Sequence, residues 1–129
     1  MICARSLQRL SVFHNDCLRR ILGVKRRDRH HRVELYSSCQ TVPLENLLRH
    51  RRLQWLGSLQ RMGPERMPRM ALCRVMRGKL PRGRPPKSWE SMVLEDLAAV
   101  GVQPAELEEM CANRKAWGKM LAEQLLKPP

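Results

Sequence analysis

The chain has 129 residues, with 25 Lys plus Arg against 12 Asp plus Glu and a formal net charge of +13. That length allows one compact domain, and an apolar share of 43% is enough for its core, which sets the chain apart from a disordered polycation. No stretch reaches the ~18 uninterrupted apolar residues of a bilayer span, so a membrane-spanning role is not expected.

Met1-Ile2-Cys3-Ala4-Arg5 leads into no apolar run and charge returns at Arg9, which predicts no export signal and an intracellular protein. From Leu7, apolar residues recur at Leu10, Cys17, Leu18, Ile21 and Leu22, a spacing of three and four that predicts a helix over about residues 4–22, stopped by Gly23. His14 falls on that stripe and is expected to be a hydrogen-bonded core residue rather than a ligand. A charged loop follows, Lys25-Arg26-Arg27-Asp28-Arg29-His30-His31, and then a short helical segment around Val33, Leu35 and Tyr36.

Pro43 is expected to open the longest helix, with Leu44, Leu47, Leu48, Trp55, Leu59 and Met62 on one face and Arg49, Arg52 and Arg61 mostly elsewhere. Leu53 and Leu56 lie off that stripe and predict a second packing surface, while Arg51 lands on the apolar side. Gly63-Pro64 ends the helix; Pro68 suits an early position of another that runs through Met70, Leu72, Cys73 and Met76, closed by Gly78. Residues 78–87 hold three prolines and two glycines and read as an extended loop. Ser88 is the expected N-cap of a helix carrying Trp89, Met92, Val93, Leu97 and Val100 to Gly101. Asp96 lies on its apolar side and should meet one of the surplus arginines. Pro104 starts a short helix through Leu107 and Met110, and Asn113 caps the last, with Trp117, Met120, Leu121 and Leu125 aligned. The expectation is an all-α compact bundle of about six or seven helices with one Pro/Gly-rich basic loop: a basic helical half over 1–77, a linker over 78–87 and a C-terminal helical half over 88–129, together one domain.

The charge is uneven. Residues 19–87 carry 19 Lys plus Arg and 4 Asp plus Glu, a net +15, whereas residues 88–129 net −3. A field so concentrated attracts polyanions, nucleic acid first; the alternative is a solvated basic surface that maintains solubility. Phe13, Tyr36, Trp55, Trp89 and Trp117 are spread one to a segment, so each is expected to anchor an element and a stacking platform for single strands is not suggested.

Chemistry is sparse. The aspartates Asp16, Asp28 and Asp96 are isolated, which suggests no two-metal site. Cys3, Cys17, Cys39, Cys73 and Cys111 form no C-x-x-C pair and are expected as free thiols packed like small hydrophobes. No zinc site, no other cofactor and no Gly-rich nucleotide loop is expected. Arg82-Gly83-Arg84-Pro85 looks like the core of an AT-hook. Prolines keep the backbone thin enough for a minor groove about 6 Å wide, Gly83 allows close approach to its floor, and Arg82 and Arg84 reach into the negative potential of an A-tract. Lys79 and Lys87 would then lie over phosphates. The same piece also reads as a plain linker between helical halves. Lys25-Arg26-Arg27-Asp28-Arg29 reads as a nuclear-import-like cluster, as phosphate contacts, or as a solvated interhelical loop.

Taken in order, Phe13-His14-Asn15-Asp16-Cys17-Leu18-Arg19-Arg20-Ile21-Leu22-Gly23, Arg51-Arg52-Leu53-Gln54-Trp55-Leu56-Gly57, Arg61-Met62, Pro81 to Glu90, Glu95-Asp96-Leu97 and Arg114-Lys115-Ala116-Trp117 form a series. The series resembles the C-terminal region of the reverse-transcriptase polyproteins of non-LTR (LINE-type) retrotransposons, downstream of the polymerase palm. The resemblance covers nearly the whole chain and implies a helical, nucleic-acid-contacting segment that follows the thumb of an enzyme copying RNA into a chromosomal target. It carries neither the palm with its paired aspartates nor the endonuclease, so no catalysis is expected of this chain alone. Where the family often has His after Trp-Leu-Gly this chain has Ser58, and the zinc knuckle of some members is missing.

The expectation is therefore a non-catalytic module binding DNA or RNA, nuclear, with no membrane contact. Arg82, Gly83 and Arg84 would enter a groove; Lys25, Arg26, Arg27, Arg49, Arg52, Lys79 and Lys87 would contact phosphates. The remainder of a reverse transcriptase is the other partner considered. The alternative is a helical protein-interaction piece, or a decayed element fragment without activity of its own, motivated by Arg51 within an apolar stripe.

Overall fold

The computed structural model describes residues 4–73 and 88–128. Among these described residues there are seven α-helices and no strand, in the order α1 Ala4–Leu22, a 3-10 turn Arg26–Asp28, α2 Arg32–Ser38, α3 Leu44–Gln60, α4 Met67–Cys73, α5 Trp89–Val100, α6 Leu107–Ala112 and α7 Arg114–Leu125. The fold is all-α, as the periodicity predicts. The expected loop over 78–87 lies outside the described residues. No helix among them is long and apolar enough to cross a membrane.

The helix ends follow the local chemistry. Ser88 Oγ accepts the Ser91 N–H at 3.1 Å at the start of α5, and Asn113 Oδ1 accepts the N–H groups of Lys115 and Ala116, each at 3.1 Å, at the start of α7. Both caps satisfy amide donors that the first turn of a helix leaves without partners. Gly23 and Gly101 adopt φ of 69° and 74°, and the paired bonds Gly23 N to Arg20 O, Val24 N to Arg19 O, Gly101 N to Ala98 O and Val102 N to Leu97 O close two Schellman motifs. A third ends α2, where Thr41 N donates to Tyr36 O at 2.9 Å and Gln40 N to Ser37 O at 3.1 Å. Here the left-handed position, φ 47°, is held by Gln40 instead of glycine.

Two compact units are present, one formed by the chain up to Arg51 with the stretch from Leu121, the other by Arg52–Met120. In the first, α1 and α2 are in contact, and Leu18, Leu35, Tyr36, Val42, Leu121 and Leu125 are buried. A buried polar pair joins the two helices, with the Tyr36 hydroxyl donating to Asn15 Oδ1 at 2.8 Å. His14 stacks on the Tyr36 ring at 6.4 Å between centroids. Its Nδ1 is buried without a hydrogen-bond partner among the described residues, which corrects the expectation of a hydrogen-bonded histidine. The predicted stripe of α1 is corrected as well: of its members only Leu18 is buried, while Leu10 and Ile21 are exposed by 43% and 75%. The stripe joins a buried edge of the helix at Leu18 to an exposed one at Leu10 and Ile21. α3, with 17 residues, is shorter than α1 with 19, so it is not the longest helix described.

In the second unit the buried apolar residues are Leu53, Leu56, Leu59, Val93, Leu97, Val100, Val102, Leu107, Cys111 and Trp117. The second surface inferred for α3 is thus its main one here, and Trp55, placed on the main stripe from spacing, is 49% exposed. Gly57 explains the choice of face. The Trp117 indole donates to Leu53 O at 3.1 Å, and a Cβ on Gly57 would come within 2.4 Å of its Nε1. Trp117 therefore sits on the helix at the one residue without a side chain, which turns Leu53, Leu56 and Gly57 inward and Trp55 outward. Phe13 is 65% exposed, so neither it nor Trp55 anchors an element in the way that Tyr36 and Trp117 do.

Candidate nucleic-acid interface

The densest cation cluster among the described residues lies between α1 and α2. Lys25, Arg26, Arg27, Arg29 and Arg32 are all exposed, and the only acids in the same stretch are Asp28 and Glu34. Asp28 accepts the Lys25 N–H at 2.7 Å while its own N–H donates to Lys25 O at 3.1 Å, which closes the 3-10 turn. Arg29 follows in the left-handed region, φ 53°, with its N–H directed to Arg26 O at 3.4 Å. Glu34 accepts the His31 N–H at 3.2 Å and faces His30 Nδ1 at the same distance. Both carboxylates thus shape the backbone, and the turn presents cations outward from a locked frame.

A further tie fixes the frame to α1. Arg26 meets Asp16 through Nη2 to Oδ2 at 2.5 Å and Nε to Oδ1 at 3.2 Å, and Arg19 adds a contact to Oδ1 at 3.2 Å. The hydrogen bond from Arg26 holds the Asp16 carboxyl below its ordinary range against desolvation, the next largest effect, with the charges of Arg26 and Arg19 adding to the lowering. The same bond raises the Arg26 guanidinium. Arg26 keeps 69% of its side chain exposed, so it stands at the surface but its fork is engaged.

The remaining predicted residues divide. Arg49 is half-buried on α3. Arg52, expected over phosphate, is instead committed inside the second unit: Nε and Nη2 reach Oδ2 and Oδ1 of Asp96 at 2.5 and 3.0 Å, and Asp96 is only 4% exposed. This is the arginine that the buried carboxylate requires. Two further arginines serve backbone carbonyls: Arg61 donates to Cys111 O at 2.9 Å, and Arg69 donates to Leu59 O and Gln60 O at 3.0 and 2.6 Å. The latter satisfies carbonyls that the end of α3 leaves open. Lys79, Arg82, Gly83, Arg84 and Lys87 lie outside the described residues.

Arg29 closes the basic run 25–29 that the sequence offers for phosphate contact, and Arg32 joins the cluster beyond it. The signal for Arg32 is its closeness to that run, interrupted by His30 and His31. Among the described residues Cys17, Cys39 and Cys111 are free thiols, and no three His, Cys, Asp or Glu side chains gather where they would hold a metal ion. Burial pushes the Cys111 thiol up, against a smaller opposing effect of Arg61, so it is a packed sulfur and a poor nucleophile. Comparison with protein-family models, curated proteins and solved structures returns no match.

Proposed function

We propose that the chain is a non-catalytic nucleic-acid-binding module that grips phosphates through the turn between α1 and α2. The observation that carries this reading is the set of five exposed cations in residues 25–32 with both neighbouring carboxylates turned to the backbone. Cations held on a defined turn fix the register of a protein on a phosphate backbone, and a turn already formed loses little entropy on binding. Lys25, Arg27, Arg29 and Arg32 are the contact residues in this proposal, with Arg26 as an edge contact steadied by Asp16. Arg52 is left out because Asp96 occupies its fork. Arg82 and Arg84 belong to the proposal as groove readers on sequence grounds, and so does the descent from a non-LTR retrotransposon reverse transcriptase.

The test is a salt titration of binding to an AT-rich duplex, a GC-rich duplex and a single-stranded RNA of equal length. A log–log slope of roughly −0.9 per phosphate neutralised on duplex DNA is expected, and Arg27→Ala should make it shallower by about one contact. A loss on Arg84→Ala confined to the AT-rich duplex assigns the groove contact. Absence of binding to all three at low salt overturns the proposal.

A further inference from the structure

The outer face of α1 carries an apolar seam that the fold does not use. Leu10, Phe13 and Ile21 are exposed by 43%, 65% and 75%, and Cys17 between them is half-exposed. Their spacing of three, four and four places all four within an arc of about 80° at ~100° per residue. The α2 side of the helix, marked by Asn15 and Leu18, is a separate face. A narrow seam of this spacing is the pattern that one helix offers to another for knobs-into-holes packing. A helix lying in a lipid interface presents a broader apolar face; here Val12 and Leu22, also exposed, fall outside the arc, and Arg9 and Arg20 bound it on the Phe13 side, about 20–40° further round the axis.

The edge of the seam states the charge of its complement. Arg5, Arg9 and Arg20 are exposed along one flank, beside a shallow groove lined by Gln8, Arg9, Val12, Phe13 and Asp16. Asp16 is the only acid of α1, and its carboxylate is held by Arg26 and Arg19. The flank therefore presents positive charge along its length, in the position where the e and g residues of a paired helix select a partner. A second copy of this chain would bring the same cations against them.

We propose that this face of α1 docks an acidic amphipathic α-helix of a partner protein, with Leu10, Phe13, Cys17 and Ile21 as the knobs and Arg5, Arg9 and Arg20 as the charge rail. The site adjoins the phosphate-binding turn through the Asp16–Arg26 pair, and its test does not depend on polyanion binding.

The experiment uses the full chain and three probes. The first is a labelled synthetic peptide of about three heptads with Leu at a and d and Glu at e and g. The second has the same composition with the leucines scrambled, and the third is phosphatidylcholine vesicles containing about one-third phosphatidylserine. The in-register peptide should bind, slow alkylation of Cys17 followed by mass spectrometry, and lose roughly tenfold or more in affinity on Phe13→Asp or Ile21→Asp. These side chains are exposed, so both variants should keep the wild-type circular dichroism spectrum. A control substitution in the basic turn, Arg27→Ala, should leave Cys17 protection in place. Equal binding of the scrambled peptide, protection of Cys17 by vesicles alone, or no protection by any probe would each overturn the proposal.

Discussion

Replacing Gly57 with alanine sets two effects against each other, and the structure decides between them. In an exposed helix interior the change stabilises by about 1 kcal/mol, because glycine loses more backbone entropy on folding. At position 57 the new methyl would lie 2.4 Å from Trp117 Nε1 and 2.7 Å from Cδ1, distances that force the indole to move. Trp117 is 2% exposed, so its N–H, displaced from Leu53 O, would find no water. The lost bond and stranded donor cost about 2 kcal/mol together, and overpacking adds about 1 to 3 kcal/mol. The net is a destabilisation of roughly 2 to 4 kcal/mol, a fall of about 8–16 °C in Tm for a chain of this size. Thermal unfolding followed by circular dichroism reads it. In a Trp117→Leu background the clash is relieved, and the same Gly57→Ala change should be neutral or raise stability by up to about 1 kcal/mol. A wild-type-background Gly57→Ala protein that melts at or above the parent temperature would refute the argument.

Other outcomes follow from single contacts. Arg52→Met leaves the buried Asp96 without its bidentate partner and should cost about 3 kcal/mol in urea unfolding, most of it recovered in Arg52→Met/Asp96→Leu. Gln40→Gly relieves a left-handed residue at the end of α2 and should stabilise by about 1 kcal/mol in the same assay. His50 is held below the usual imidazole range by burial first and by Arg51 second. The unfolded chain therefore takes up a proton near pH ~6.5 that the folded chain resists, and stability should fall as pH drops below that value and level off past the folded pKa. His50→Gln should remove this part of the pH profile, and an unchanged difference between the two proteins from pH ~7 to ~5 would exclude the effect.

Element boundaries were legible because capping chemistry is local. Gly23, Ser88, Gly101 and Asn113 each act within two or three residues of themselves: Gly23 ends α1, Ser88 and Gly101 bound α5 and Asn113 starts α7, as those residues predict, whereas α6 begins at Leu107 and not at Pro104. Faces were less legible. Periodicity gives the angles of apolar residues around an axis but not which arc meets a neighbour, so the stripe predicted for α1 holds both buried Leu18 and exposed Leu10 and Ile21. On α3 the inward face is selected by Trp117, some sixty residues away, through the space at Gly57. No spacing within α3 encodes that. The Arg52–Asp96 pair shows the same division: a carboxylate on an apolar face announces that it needs a cation, while the choice among the arginines is a matter of tertiary packing.

The basic excess itself separates into two populations with different consequences. Arg52, Arg61 and Arg69 donate inward, to a buried carboxylate and to backbone carbonyls. Lys25, Arg27, Arg29 and Arg32 point to solvent from a turn whose acids are occupied. Salt distinguishes them, because each phosphate contact releases counterions and weakens as salt rises, while short, partly buried pairs are screened much less. Added salt should therefore weaken polyanion binding well before it weakens the fold. Substitution distinguishes them too. Loss of binding on replacing Arg61 or Arg69 would accompany loss of stability and says nothing of phosphate contact, whereas loss on replacing Arg27 or Arg29 at unchanged Tm reports the interface alone. Net charge by itself overstates the binding surface, since a helical chain with few aromatics also uses arginine to close its helix ends and satisfy its buried acid.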